Sequence, residues 1–180
     1  MIRLIRGALA LSTLAFAGHA FAATKVDDPA KYVTQAITVS GAVEQDLRLS
    51  VNDLRQFPPQ QVGELPMVCQ TGANVGKLEN LKGVLLRDIL EKAKVVSKEH
   101  NDVKKTIVIA TASDGYKVVF SWSEVFNSPV GDGVTVFFEK DGKTLGDEEG
   151  RIAMVSTKDL RSGPRHVKWL KELEVRKIVD

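Results

Sequence analysis

The hydrophobic positions fall into short periods that change type along the chain. The segment 36–50 reads as two short strands joined through Gly41. Ser50-Val-Asn-Asp53 has the form of a capping box, with Asp in the place of the usual Glu. It predicts a short helix over 51–57 that stops at Pro58-Pro59. Residues 64–71 form an apolar strand running into Gly72. Over 81–95, Leu86, Ile89, Leu90 and Ala93 recur at helical spacing with polar residues between them. Residues 104–112 make an apolar run of strand length, and Asp114-Gly115 turns the chain into a strand over 116–120. Ser121-Trp-Ser-Glu124 is a second capping box, opening a short helix that ends by Pro129. A hairpin with Asp141-Gly142 at its tip covers 133–145, and strand-like segments at 151–156 and 167–179 complete the chain. Many short strands with three short helices between them predict an α+β domain of mixed sheets. Strict strand–helix alternation is lacking, which disfavours a doubly wound nucleotide fold. Trp122 and Trp169 sit among apolar neighbours and are read as core anchors.

The first 22 residues change the setting. They begin with Arg3 and Arg6, run apolar from Ala8 to Ala17 and close on Ala20-Phe21-Ala22, the pattern of a cleavable secretory signal. The apolar run is too short for a membrane span, which needs about 20 residues. The expected product is a single domain over 23–180, located in a periplasm. Removing 1–22 takes away two arginines and no acids, so the formal charge falls from +2 to zero, with 23 basic against 23 acidic residues. That balance argues against nucleic acid as a partner, which selects a clearly basic domain.

Two places hold candidate chemistry. Cys69 is the only cysteine, so no internal disulfide is available. Without a Cys-x-x-Cys pair it is a sheltered residue, a soft-metal ligand or a thiol paired with another chain. From Arg151 to Lys177 there are eight Lys/Arg and three Asp/Glu, a local excess of +5. Lys158, Arg161, Arg165, His166 and Lys168 crowd around Ser162-Gly163-Pro164. A loop of this kind is either a solvated basic surface or an anion cradle of backbone N–H groups and planar guanidinium donors. The sequence has no zinc-ligand spacing, nucleophile elbow, P-loop or dinucleotide glycine motif. Tyr116, next to Asp114-Gly115, is either turn packing or a ligand contact.

Taken in order, five blocks resemble the molybdopterin-binding domain of the sulfite oxidase family. They are the strand–Gly41–strand entry, "MVCQTGAN" (67–74), "LKGVLLRDIL" (81–90), "ASDGYKVVFSWSEV" (112–125) and "GRIAMVSTKDLRSGPRHVKWLKELEV" (150–175). The resemblance implies a sulfite-oxidase-like α+β fold. In the family's enzymes the aligned cysteine is the thiolate ligand of molybdenum, which would make Cys69 that ligand if the metal is bound. Ser156, Lys158, Arg161, Ser162, Arg165 and His166 map to the loop that cradles the pterin, and Asn74, Asp114 and Tyr116 to the mouth of the same pocket. The chain departs from the catalytic members in having no Arg or Trp after its cysteine, and no Arg at all between Arg55 and Arg87. Its signal lacks a twin-arginine pair. These departures are similar to those of short secreted members that bind a free reduced pterin as sensors. Such members report to the periplasmic domain of a membrane diguanylate cyclase or phosphodiesterase. A molybdenum–molybdopterin oxidoreductase remains the alternative implied by the resemblance.

Overall fold

The computed structural model describes residues 28–178; the segment expected to be an export signal, residues 1–22, lies outside the described residues. Both sequence-predicted capping boxes form. Ser50 Oγ accepts from the N–H of Asp53, whose carboxylate accepts from the N–H of Ser50, so helix α1 (Val51–Leu54) starts there. It is shorter than the pattern predicts, giving way to turns before the two prolines. Ser121 and Glu124 make the same reciprocal pair at the start of α3 (Trp122–Phe126). Helix α2 (Leu86–Ala93) buries Leu86, Ile89, Leu90 and Ala93, the four positions the periodicity picks out.

Two five-stranded sheets carry the rest. In the first, β1 (Ala36–Gly41), β2 (Leu47–Ser50), β5 (Thr106–Ala112), β6 (Lys117–Ser121) and β10 (Leu170–Lys177) lie in the order β2-β1-β10-β5-β6. The first and last strands pair in parallel there. The second sheet runs β3 (Gln60–Val68), β4 (Asn74–Leu85), β7 (Val134–Lys140), β8 (Lys143–Thr144), with β9 (Ala153–Ser156) beside β7. Strand β4 departs from the sequence reading, which ran 81–95 together as one helical segment. Gly83 and its neighbours pair with β7 instead, and the helix begins only at Leu86.

The main core lies between the sheets and the three helices, with Ile37, Val39, Val108, Phe120, Val136, Phe138 and Leu173 fully or nearly fully buried. A second cluster, including Leu65, Met67, Leu78, Leu81 and Phe137, packs the other face of the β3–β4–β7 sheet. Strand β7 therefore has apolar side chains on both faces, and its first five residues are all buried. That central strand fixes the hairpin of β3 and β4, whose tip carries Cys69.

The pairing of β4 with β7 leaves no room at Gly83. A Cβ there would overlap the carbonyl oxygen of Val136 and lie 2.6 Å from Phe137 Cα. Gly83→Ala is expected to destabilise the fold by about 3 kcal/mol through overpacking. In a domain of this size that lowers the thermal midpoint by about 6–12 °C, as followed by circular dichroism. An unchanged melt would contradict the close approach of the two strands.

Candidate functional site

Strand β3 ends at Val68, and residues 69–73 form the turn into β4. The Cys69 N–H donates to the Ala73 carbonyl at 3.0 Å, and the Gly72 N–H to the Cys69 carbonyl at 2.9 Å. Gly72 takes a positive φ of 94°, a conformation that disfavours side chains. The turn leaves the thiol half-exposed, with Sγ 2.9 Å from Thr71 Oγ1. Hydrogen bonding from the Thr71 hydroxyl, then from the Thr71, Ala73 and Gly72 N–H groups, outweighs burial and holds the Cys69 thiol below its ordinary range.

The second half of the site comes from the loop after β9. Ser162 is buried, and its hydroxyl spans the edge of β3, donating to the Pro66 carbonyl at 2.6 Å and accepting from the Val68 N–H at 3.0 Å. Gly163 follows so closely that a Cβ would stand 3.0 Å from the Val68 carbonyl and 3.4 Å from Cys69 Cα. Arg161 lies against the turn from the other side, where a Cβ on Gly72 would overlap its guanidinium. The sequence shows no Arg between Arg55 and Arg87, yet the fold brings one against Gly72 of the Cys69 turn from some ninety positions later. Among the described residues neither Arg161 nor Lys158 has an acidic partner, and both are exposed.

The remaining expected residues divide. Tyr116 donates its hydroxyl to the Pro164 carbonyl at 2.6 Å, and Asp114 accepts from the Tyr116 N–H at 2.9 Å, so this turn leans on the same loop. Asn74 stands opposite Val68 in the hairpin, its side-chain amide oxygen Oδ1 accepting from the Gly76 N–H at 2.9 Å. Ser156, Arg165 and His166, also expected in the cradle, have internal partners instead. Ser156 is fully buried and donates to Asp159 at 2.8 Å. Arg165 Nε donates to Asp159 at 2.6 Å and Nη1 to Glu124 at 2.9 Å, with the guanidinium 4.3 Å from the centre of the Phe120 ring. Burial pushes the Glu124 carboxyl up, but the Ser121 N–H and Arg165 outweigh it and hold it below the ordinary range. His166 Nε2 sits 3.0 Å from Glu149, which also faces Lys168 at 3.5 Å. These side chains brace the loop; of their acids, the sequence reading did not single out Glu149 or Asp159 and read Glu124 only as a capping residue. Only their fold positions reveal that role. Among the described residues no group of three or more His, Cys, Asp or Glu is arranged to hold a metal ion, and no helix is long and apolar enough to cross a membrane.

The arrangement combines a soft sulfur held toward its thiolate form, a guanidinium without an acidic partner against the same turn and a second exposed cation on the same loop. It is expected to alkylate with iodoacetamide at a pH midpoint below that of an ordinary thiol, because the thiolate is the reactive form. Thr71→Val removes the leading stabilising bond and should move that midpoint upward. A midpoint unmoved in Thr71→Val would show that the hydroxyl does not tune the sulfur.

Comparison with known proteins fits this geometry. The protein-family model for the oxidoreductase molybdopterin binding domain matches residues 22–179. Among solved structures, the chain is similar to the sulfane dehydrogenase SoxCD from Paracoccus pantotrophus, at 20% identity and a TM-score of 0.58. The likeness covers 78% of this chain and 37% of that chain, so this chain spans little more than a third of its length. At that identity the likeness is one of fold. No curated protein matches. The fold is thus the sulfite-oxidase-like molybdopterin-binding one, and the chain belongs to the oxidoreductase molybdopterin binding domain family.

Proposed function

We propose that this protein is a periplasmic pterin-binding protein that works by ligand occupancy, with a free reduced pterin held between the Cys69 turn and the Lys158–Pro164 loop. The family supplies the ligand class, since its members bind a pterin-type cofactor. The residues present fit such a group. Arg161 offers a planar fork of donors, Lys158 a mobile cation, and the turn and loop offer backbone close to where Gly72 and Gly163 exclude side chains. In this reading Cys69 would form a wall of the ligand site.

The observation that carries the reading is the division of charge around the loop. Asp159 and Glu124 pair with Arg165, and Glu149 faces Lys168 and hydrogen-bonds with the His166 ring, while Arg161 and Lys158 are left without acids. The uncommitted groups suit holding an electron-rich heterocycle or its anionic substituent, and the proton-moving groups are tied down. The export signal of residues 1–22 supports the location, and the resemblance to short secreted sensor members supports the partner, the periplasmic domain of a membrane enzyme of cyclic di-GMP metabolism. In this reading the partner has different affinities for the liganded and free forms, and that difference is the signal.

A second reading has its own observation. A half-exposed thiol held toward the thiolate is the form in which sulfur ligates a soft metal. In a molybdenum–molybdopterin oxidoreductase Cys69 would hold the metal, which supplies oxygen-atom and electron-transfer chemistry when bound, and Arg161 would place positive charge beside the substrate.

Calorimetric titration of the purified protein with tetrahydropterins, together with the molybdenum-to-protein ratio of protein from its native host, separates the two. One pterin per chain with a molybdenum ratio near zero is expected. A charge-assisted hydrogen bond is worth ~1.5–3 kcal/mol, so Arg161→Ala should weaken pterin binding about tenfold or more. A ratio near one, lost in Cys69→Ser, would establish the oxidoreductase instead.

A further inference from the structure

The strand that carries Cys69 is closed along only part of its outer edge. Strand β3 lies at the end of its sheet and pairs with β4 alone. At Pro66 and Val68 the Ser162 hydroxyl caps the edge. From Gln60 to Leu65, no group among the described residues outside β4 bonds to the main chain. A long uncapped edge is a template for another strand, and proteins ordinarily blunt such edges with bulges, charges or covering loops.

Gly63 stands in the middle of this open stretch. A Cβ there would meet nothing within 4 Å, and its φ lies outside the left-handed region, so neither packing nor backbone conformation within the chain requires a glycine. Glycine inside a strand weakens it, and it recurs where a second backbone approaches closely. Two concavities adjoin the same stretch. One, of about 290 Å³, has Leu54, Phe57, Val84 and Phe138 among its lining residues. The other, of about 220 Å³, includes Val62, Gly63 and Leu81. Gln61 and Lys82 line both. At the Gln60 end Arg55 and Lys82 share the single carboxylate of Glu139, at 2.7 and 3.8 Å, whereas toward Leu65 Glu64 and Glu79 share the single ammonium of Lys77, at 2.8 Å each.

We propose that the Gln60–Leu65 edge accepts an extended, acidic segment of a partner protein as an added strand. In this mode main-chain hydrogen bonds supply affinity, while alternate side chains entering flanking hollows supply specificity. The two concavities provide the hollows, and the excess cation selects acidic side chains beside Arg55 and Lys82. A second copy of this chain fits less well. Its own edge would bring the same cations, and a six-residue pairing is about 20 Å long. That is too little for the ~800 Å² per partner of a stable dimer. The edge runs from Gln61, about 26 Å of strand from Cys69, to Leu65, about 13 Å from it, and the proposal does not depend on pterin binding.

The test is panning of a phage-displayed random dodecapeptide library against the full chain, followed by amide hydrogen exchange and fluorescence anisotropy with the enriched peptides. The expected result is a consensus of alternating apolar and acidic residues. On binding, exchange at Gln60–Leu65 should slow by about tenfold or more. Affinity should fall about tenfold in Lys82→Glu. Gly63→Trp, at an exposed position with open space, gives an independent block should the charge reversal disturb the fold. The proposal is overturned if no peptide is enriched over an unrelated control protein, or if the peptides protect other amides. It is equally overturned if binding survives both substitutions, or if the same amides are protected by a concentration-dependent dimer of the chain.

Discussion

The site depends on one hydroxyl. Ser162 Oγ joins the Pro66 carbonyl and the Val68 N–H, the last backbone groups of β3 before Cys69. It therefore fixes a loop from the far end of the chain to the strand that carries the thiol. Each such bond contributes about 1 kcal/mol net, but leaving its buried partner unmet costs ~1–3 kcal/mol, so the clamp is held mainly by what its loss would strand. Gly163 makes the approach possible, because any side chain would press on Val68 and Cys69. Arg161 and Ser162 are neighbours, and clamping one sets the other against Gly72.

Behind the clamp, Arg165 is held by two carboxylates and an aromatic face. Half-buried ion pairs of this sort lose in desolvation much of what they gain in attraction, so their worth lies in fixing geometry. The planar guanidinium suits that task, because its donors meet Asp159 and Glu124 in fixed directions and tie the loop to α3. Glu149 does the same further along, gathering His166 and Lys168, while its backbone carbonyl accepts from the Trp169 N–H. The basic excess of the 151–177 segment is thus partly internal structure and only partly a surface for ligands.

This division explains what the sequence could and could not show. The capping boxes at Ser50 and Ser121 are legible because their partners lie three residues apart and satisfy local backbone groups. The α2 face is legible because four apolar residues repeat at 3.6. Strand β4 is not, for two physical reasons. Its first four residues stand exposed on the hairpin arm and carry no alternation, and a register shift between Lys82 and Gly83 breaks the period where the strand enters the core. The ordered family blocks locate Cys69 and the Arg161–Arg165 loop. They do not show that Arg161 packs against Gly72 of the Cys69 turn while Arg165 turns inward, because Asp159, Glu124 and Gly72 lie on three different elements.

The site that results is rigid in its backbone and loose in its cations, which constrains what kind of ligand it can select. The turn, the clamp and the Tyr116–Pro164 bond hold the main-chain walls in place before any ligand arrives. Arg161 and Lys158 extend from those walls with long side chains whose ordering costs up to ~2 kcal/mol each. A charge-assisted hydrogen bond returns ~1.5–3 kcal/mol, so the net gain from either cation is modest, although removing one leaves a ligand acceptor unpaired and costs more than that net gain. Affinity must then come from flat contact with the fixed walls, and the cations act mainly to reject ligands without acceptors at the right edge. A planar heterocycle with several acceptors satisfies both demands at once, whereas a small oxyanion makes no flat contact and would need a further anchor.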